Sequence, residues 1–499
     1  MKKRNIFQHV ARTKVPRTTF DLSHERKLSC DMGQLVPILC EEVVPGDKFN
    51  INTESMVRFA PMTAPIMHRV DIYMHYFFVP NRIIWDDWEK FITGDLETVV
   101  PTIAIGESSS VPEGSILDFM GIPTGNFVGS GETINALPFR AYLDIYNNYY
   151  RDENLSAEKD ILQPELYVNQ PPLKRAWEKD YFTSALPWAQ KGGEVVLNPE
   201  INYSDDATVY RNDGADPSNG IAIAPAVGQG YGTLTDDTVN QGSDLKVENL
   251  ESIGININDL RTATRLQRWL EKNARAGSRY VEHLLAHWGV ISDDARLDRP
   301  EYIGGGKSPV VISEVLNTAG VNAEEGLPQG TMAGHGISVG AQNRASKYCK
   351  EHGWIMGIMS IMPRTNYYQG IHKKFSRSTP FDYYFPEFAH LGEQEVKNKE
   401  IFMSSGQEDN DKTFGYQSRF AEMKYAQSTV HNTFRTSLDF WHLARKFASR
   451  PQLNETFILA DPRTDIFAVE EANKDHLWVQ LFHNITARRP MPYYNDPRL

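Results

Sequence analysis

Gly304-Gly-Gly-Lys-Ser308 is the stretch that comes nearest to a phosphate-binding motif. Such a loop needs a glycine, four residues and then Gly-Lys-Ser, set between a strand and a helix so that backbone N–H groups cradle the phosphates. Counting back from Gly306, the first glycine falls at Glu301, and Pro309-Val-Val-Ile312 reads as a strand where a helix should begin. The run is expected to be a flexible turn, because glycine reaches positive φ without a steric cost. His283 and His287 lie four apart in a helical stretch and share a face, the spacing that can chelate a metal. A metalloprotease pattern also needs an acid after the first histidine, and that position is Leu284. These two histidines are read as packing or interface residues, and no metal or other cofactor is expected. Adjacent carboxylates occur at Asp86-Asp87, Asp236-Asp237 and Asp293-Asp294. A glycosidase needs two acids at a fixed separation across a cleft, whereas neighbours in sequence usually mark solvated loops. No nucleophile elbow or Cys/His arrangement is present. The chemistry in the sequence is that of binding, and no catalytic residue is assigned.

Two features suit nucleic acid. Residues 1–20 hold Lys2, Lys3, Arg4, Arg12, Lys14 and Arg17 and no acid. This arm carries +6, which leaves −18 for the rest of a chain whose net charge is −12. A basic arm on an acidic body is the asymmetry of a tail that faces nucleic acid, although a solvated terminus has the same composition. Aromatic and basic residues interleave in Arg364-Thr-Asn-Tyr-Tyr368 and His372-Lys-Lys-Phe-Ser-Arg377. Rings beside cations suit single-stranded nucleic acid, but the more ordinary reading of such a stretch is a polar subunit interface or a solvated loop.

The elements that must position these groups are mostly strands. The 28 prolines and 35 glycines break the chain into short extended runs, the pattern of a β architecture with long loops. Val70–Val79 alternates Val70, Ile72, Met74, Tyr76 and Phe78 onto one face, and Pro80 ends its ladder. Ile51–Phe59 alternates likewise, and Pro309–Leu316 is a further strand. Trp354–Met362 is apolar on both faces, as a central strand covered on both sides would be. Helices are expected at Asp86–Phe91, at Leu137–Asn154 with Pro138 in its first turn, and at Asn258–Trp288. In the last, Asn258 or Asp259 caps the start, Gly277 kinks or divides the helix, and Gly289 stops it.

Residues 201–251 stand apart, with nine acids, two basic residues, six glycines and no tryptophan. Such a stretch cannot readily bury a core and reads as an insertion projecting from the body. Three cysteines (Cys30, Cys40 and Cys349) fit no metal spacing, and without an apolar leader they are expected as free thiols in a reducing cytoplasm.

Several segments together resemble the major capsid proteins of microviruses, small single-stranded-DNA bacteriophages. They are Phe77-Phe-Val-Pro-Asn-Arg82, Leu137-Pro-Phe-Arg-Ala-Tyr142, Tyr150-Arg-Asp-Glu-Asn-Leu155, Lys179-Asp-Tyr-Phe-Thr-Ser-Ala-Leu-Pro-Trp188 and Pro363-Arg-Thr-Asn-Tyr-Tyr-Gln-Gly370. Arg261-Thr-Ala-Thr-Arg-Leu-Gln-Arg-Trp-Leu270, Ser292-Asp-Asp-Ala-Arg296 and Ile303–Val311 are similar to the gokushovirus branch. Gly415–Lys424 and Arg489-Pro-Met-Pro-Tyr-Tyr494 extend the likeness along nearly the whole chain, weakest in 201–251.

The resemblance implies an eight-stranded viral jelly roll with long inter-strand insertions and a T=1 icosahedral shell built from copies of the chain. It implies a circular single-stranded DNA genome inside, other viral structural or scaffolding proteins as partners, and assembly in the bacterial cytoplasm. The layout would be a basic arm at 1–20, a capsid domain at 21–499, and 201–251 as a threefold surface protrusion. That protrusion would offer Asp205, Asp206, Asp213, Asp216, Tyr231, Asp236 and Asp237 to a host cell-surface receptor. The 55 aromatic residues exceed what a core needs, so Tyr142, Tyr146, Tyr149, Trp269, His283, His287 and Trp288 are candidates for subunit contacts. The competing class is a jelly-roll carbohydrate-binding protein or glycosidase, which accounts for the acids and tryptophans but not for the arm.

Overall fold

The computed structural model describes residues 15–499 apart from 96, 106–109, 128, 193–194, 196–208, 212–222, 225–232, 235–244, 248–256, 278, 317–330, 406–408, 470–473 and 495–499. Two compact units emerge: Met1–Ala189 with Ala276–Leu499, and Gln190–Arg275.

The first unit is mainly β. Besides a short pair, Thr102–Ala104 with Thr133–Asn135, its strands are β1 (Thr18–Asp21), β2 (His24–Cys30), β3 (Val36–Val43), β4 (Lys48–Phe59), β5 (Val70–Pro80), β6 (Glu301–Pro309), β7 (Val311–Leu316), β8 (Met332–Tyr348), β9 (Gly353–Pro363), β10 (Glu393–Lys397), β11 (Thr413–Ser418) and β12 (Leu477–Arg489). Ten of them form one antiparallel sheet in the order β1-β12-β4-β8-β6-β5-β9-β3, with β2 also on β12 and β7 also on β8. β10 and β11 pair apart from it.

The alternation in the sequence fixes which side chains the sheet buries. In β4, Phe49, Ile51, Thr53, Ser55, Val57 and Phe59 point inward, and in β5 Val70, Ile72, Met74, Tyr76 and Phe78 do the same. β4 and β5 are not neighbours, yet their inward residues meet: Val57 and Phe59 join Ile72 and Met74, and Phe49 and Ile51 join Tyr76 and Phe78. The sheet is therefore curled over its own apolar face, the jelly-roll arrangement. Each fully buried Ile, Val or Phe stabilises this core by roughly 1.5–3 kcal/mol. Some of the polar groups inside bond to one another, as where Tyr76 donates to Thr53 Oγ1 (2.5 Å) and Thr53 meets His483 (2.8 Å).

β9 is flanked by β5 and β3 and is buried on both faces, as its sequence requires. The second face is covered by residues of the long β5–β6 connection. Helix α1 (Leu137–Ile145) packs Leu137, Phe139 and Leu143 in one cluster with Phe77, Val79, Met356 and Ile358. It runs into a π-helical turn, Tyr146–Tyr150, and the chain becomes extended at Arg151, short of the expected end at Asn154. The short helix expected at Asp86–Phe91 forms at Trp88–Ile92. A smaller cluster of Tyr181, Phe182, Tyr367, Val396, Phe414 and Phe457 sits under the loops between β9 and β12.

Two expectations change. The glycine run is not a turn. Gly304, Gly305 and Gly306 lie inside β6, where Gly304 and Gly305 pair with β5 on one side and β8 on the other. A Cβ on Gly305 would stand 2.2 Å from the Met74 carbonyl oxygen, so glycine is there to let the strands approach. The Asn258–Trp288 helix divides at Gly277 (φ +93°), as expected, into α2 (Ile257–Ala276) and α3 (Tyr280–Trp288), and what changes is its start. Asn258 and Asp259 fall within the first turn of α2 instead of before it. At the start of α3 the Arg279 backbone N–H donates to Glu282 Oε2 (3.3 Å), and the helix ends at Gly289 in the left-handed conformation (φ 68°).

The second unit holds α2 and two short ladders, Val209–Arg211 with Leu245–Val247 and Ile223–Ala224 with Thr233–Leu234. Asp205, Asp206, Asp213, Asp216, Tyr231, Asp236 and Asp237 lie outside the described residues.

Candidate assembly surfaces

The groups that looked chemical are structural where they are described. Lys307 is bound to Asp71 (2.9 Å) and donates to the Tyr73 hydroxyl (2.6 Å), and β7 follows where a phosphate-binding helix would start. Asp294 accepts from Tyr149 (3.0 Å) and pairs with Arg299 (3.2 Å). The His283 and His287 rings stand 4.3 Å apart on α3. Among the described residues no group of three metal-ligating side chains assembles. Cys30, Cys40 and Cys349 are free thiols, and burial pushes Cys40 and Cys349 up to about 12, so neither is a ready nucleophile. No helix among the described residues is long and apolar enough to cross a membrane.

The aromatic candidates divide sharply. Tyr142 and Tyr146 are 1% and 2% exposed, and the Tyr142 hydroxyl donates to Leu35 O (2.9 Å) and accepts from Leu173 N (3.0 Å). Both are core residues with no surface left for another subunit, which corrects their assignment to subunit contacts. A tyrosine stripe on a helix has the same period whether its partner is the chain's own sheet or a neighbour. Tyr149 is half-buried, donating to Asp294 and to Pro300 O (2.5 Å) beneath the Arg299 guanidinium.

Next to this turn, Arg279 anchors the start of α3. It donates to Arg151 O (2.8 Å) and pairs with Glu153 (3.5 Å) and Glu282 (3.6 Å). Burial and the nearby Glu153 raise the Glu282 carboxyl above its ordinary value. From that fixed start, α3 presents Trp288 at 64% exposure, edge-on to His283 and tilted against His287. Tyr280, Leu285, Val290 and Ile291 are exposed around it. Trp269 is exposed on α2 in the other unit.

Of the basic candidates, Arg17 is described: it donates to the Tyr348 hydroxyl (3.3 Å) and lies over its ring. Lys2, Lys3, Arg4, Arg12 and Lys14 lie outside the described residues. Arg364 is paired with Glu178 (2.9 Å), and Tyr367 is buried, donating to Asp180 (2.9 Å), so 364–368 is framework. His372–Arg377 does reach the surface. Sequence reading stopped there and missed the run that follows, Phe381-Asp-Tyr-Tyr-Phe385, whose rings are exposed. Its signal was aromatic density between Pro380 and Pro386 without strand or helix period.

The family model described as capsid protein (F protein) matches residues 8–499. The chain belongs to this capsid-protein family. Three relatives agree along nearly their full lengths. Capsid protein VP1 of Chlamydia phage 1 is 33% identical, covering 99% of this chain and 98% of the relative. Capsid protein VP1 of Bdellovibrio phage phiMH2K is 35% identical (98% and 97% covered), and that of Spiroplasma virus 4 is 30% identical (97% and 96%). These are gokushoviruses, and the chain is a microvirus major capsid protein of that branch. The carbohydrate-binding alternative gives way to a capsid match that spans the chain.

Proposed function

We propose that this capsid protein self-assembles into a T=1 icosahedral shell enclosing a circular single-stranded DNA genome, without catalytic activity of its own. The observation that carries the reading is the match to capsid proteins along residues 8–499, on a jelly-roll sheet whose side chains are committed to packing. In this reading α3, with His283, His287 and Trp288, meets a neighbouring subunit, and so do Trp269 and the exposed side of Tyr149. An interface core is rich in such aromatics. The arm, residues 1–20, lies against the genome, where its cations displace counterions from phosphates. Residues 21–499 form the capsid domain, with 201–251 as a surface protrusion for the host receptor. The acidic exterior keeps particles apart. Assembly takes place in the bacterial cytoplasm with other viral structural or scaffolding proteins.

Negative-stain electron microscopy of the expressed protein tests this, alone and with circular single-stranded DNA and co-expressed viral proteins. Uniform closed shells are expected. A monomer under every condition overturns the reading.

A further inference from the structure

The segment His372–Leu391 forms an apolar plateau that nothing within the chain covers among the described residues. Phe375 is 74% exposed, Phe381 67%, Tyr383 52%, Tyr384 50%, Phe385 46% and Leu391 59%. None of these side chains joins a core cluster. At roughly 200 Å² per aromatic side chain they offer on the order of 600 Å². That is the upper end of the largest patch on an ordinary monomer, and most of the ~800 Å² per partner of a standard interface.

The plateau is built to stay in place. Its chain is folded into tight turns at Lys373–Phe375, Pro380–Asp382 and Pro386–Phe388. The Asp382 carboxylate accepts from Ser378 N (3.0 Å), Thr379 N (2.8 Å) and Thr379 Oγ1 (2.9 Å), which lowers it to about 2. Arg419 donates to Phe381 O (3.3 Å). Rings brace one another: Phe381 and Phe385 each lie 5.7 Å from Phe388, and Tyr384 stands edge-on to Phe420. Fixed aromatic surface loses little entropy on binding, which is what interface anchors require.

The charges beneath decide between partners. Arg377 is paired with Glu422 (2.8 Å; side chains 11% and 2% exposed), Lys373 with Glu400 (3.5 Å), and Lys399 with Asp411 (2.6 Å). A single strand of nucleic acid needs cations open to phosphate and rings open to stacking. Here Arg377, Lys373 and Lys399 answer carboxylates and the rings answer rings, while Lys374 lies over the Phe375 ring (5.0 Å), so most of the positive charge beneath the apolar top is already matched. Beside it opens a cleft of about 430 Å³, lined among others by Arg377, Phe381, Asp382 and Arg419, with room for an inserted side chain.

We infer that the Phe375–Leu391 plateau is a subunit–subunit contact, occupied by a second copy of this chain. The inference rests on the shell-forming reading above, since closed shells bring copies of one surface against copies of another. Hydroxyl-radical footprinting of dissociated subunits, empty shells and DNA-filled shells tests it. Oxidation of Phe381, Tyr383, Tyr384 and Phe385 is expected to fall about tenfold on going from subunits to empty shells, because interface cores exclude water. The double variant Phe381→Ser/Phe385→Ser is expected to keep the wild-type urea midpoint and to sediment as free subunits. Rings as reactive in shells as in subunits overturn the inference, as does a double variant that assembles normally. Protection confined to DNA-filled shells overturns it in favour of a nucleic-acid contact. If the wild-type chain makes no shells under any condition, the functional reading falls, and this inference with it.

Discussion

Replacing Gly305 by alanine tests whether the glycine run is a turn or the centre of a sheet. A methyl carbon there would lie 2.2 Å from Met74 O and 3.2 Å from His75 Cα, against ordinary contacts of 3.4 Å or more. The obstructing atom belongs to the backbone of β5, which is paired along its length with β9, so it cannot yield without disturbing the next ladder. Overpacking a tight site costs about 1–3 kcal/mol. One or two ladder hydrogen bonds lost to the displacement add about 1 kcal/mol each. Gly305→Ala is therefore expected to destabilise the subunit by roughly 2–5 kcal/mol, from the sum of those two effects. Gly94→Ala is the comparison: its φ of +105° strains any side chain, but nothing lies within 4 Å, so about 1–2 kcal/mol is expected. The assay is urea unfolding of dissociated subunits followed by tryptophan fluorescence. A Gly305→Ala subunit within about 0.5 kcal/mol of wild type, the range of an ordinary surface change, would refute the argument and restore the flexible turn.

Burial pushes the Asp144 carboxyl up to about 7, against an opposing hydrogen bond from Asn148. The folded state thus holds this proton more tightly than the unfolded chain, so stability falls as pH rises from about 4 to 7 and stays reduced above. Asp144→Asn should stabilise by up to about 4 kcal/mol at pH 8 and hardly at all at pH 4, and equal effects in urea unfolding at both pH values would count against this. Arg377→Ala leaves the buried Glu422 carboxylate without its cation and should cost about 3–5 kcal/mol, most of it recovered in the Arg377→Ala/Glu422→Gln double variant. Deleting residues 1–14 removes Lys2, Lys3, Arg4, Arg12 and Lys14. It should flatten the salt dependence of single-stranded-DNA binding by up to about 3.5 log units per log unit of salt, read by fluorescence titration, and an unchanged slope would place the genome contact elsewhere.

Much of the sheet was legible because burial writes itself into period-two alternation. β4 and β5 carry that alternation, and β9 is legible instead as a short run apolar on both faces. β8 was missed, since Met-Ala-Gly-His-Gly-Ile-Ser-Val-Gly-Ala is made of small residues with little strand preference, and its neighbours β4, β6 and β7 impose the conformation. The glycines of β6 were misread for the same reason: close approach by flanking strands selects glycine, yet from one sequence it looks like freedom to turn. The aromatic residues posed a different difficulty. Tyr142 and Trp288 are equally plausible as core or as contact, and which one is enclosed depends on the β5–β6 connection folding back over β9. Phe381–Phe385 went unnoticed because a run without period carries no information about which face is exposed.

The last strand of the sheet also sets a timetable. β12 pairs with β4 from Leu477–Phe59 to Arg488–Lys48, while its other edge takes β2 from Leu477–Cys30 to His483–His24 and β1 from Thr486–Asp21 to Arg489–Thr18. Three strands must wait for one made more than 400 residues later. Until residue 489 has left the ribosome, β1 and β2 have no partner and Leu477, Val479 and Leu481 are missing from the core. A nascent or prematurely released chain is then not a slightly defective building block but an unfinished one, recognisable to proteases and unable to seat in a lattice. For a particle that counts on identical parts, the order in which the sheet closes works as an inspection step: only finished molecules acquire the shape that assembly reads.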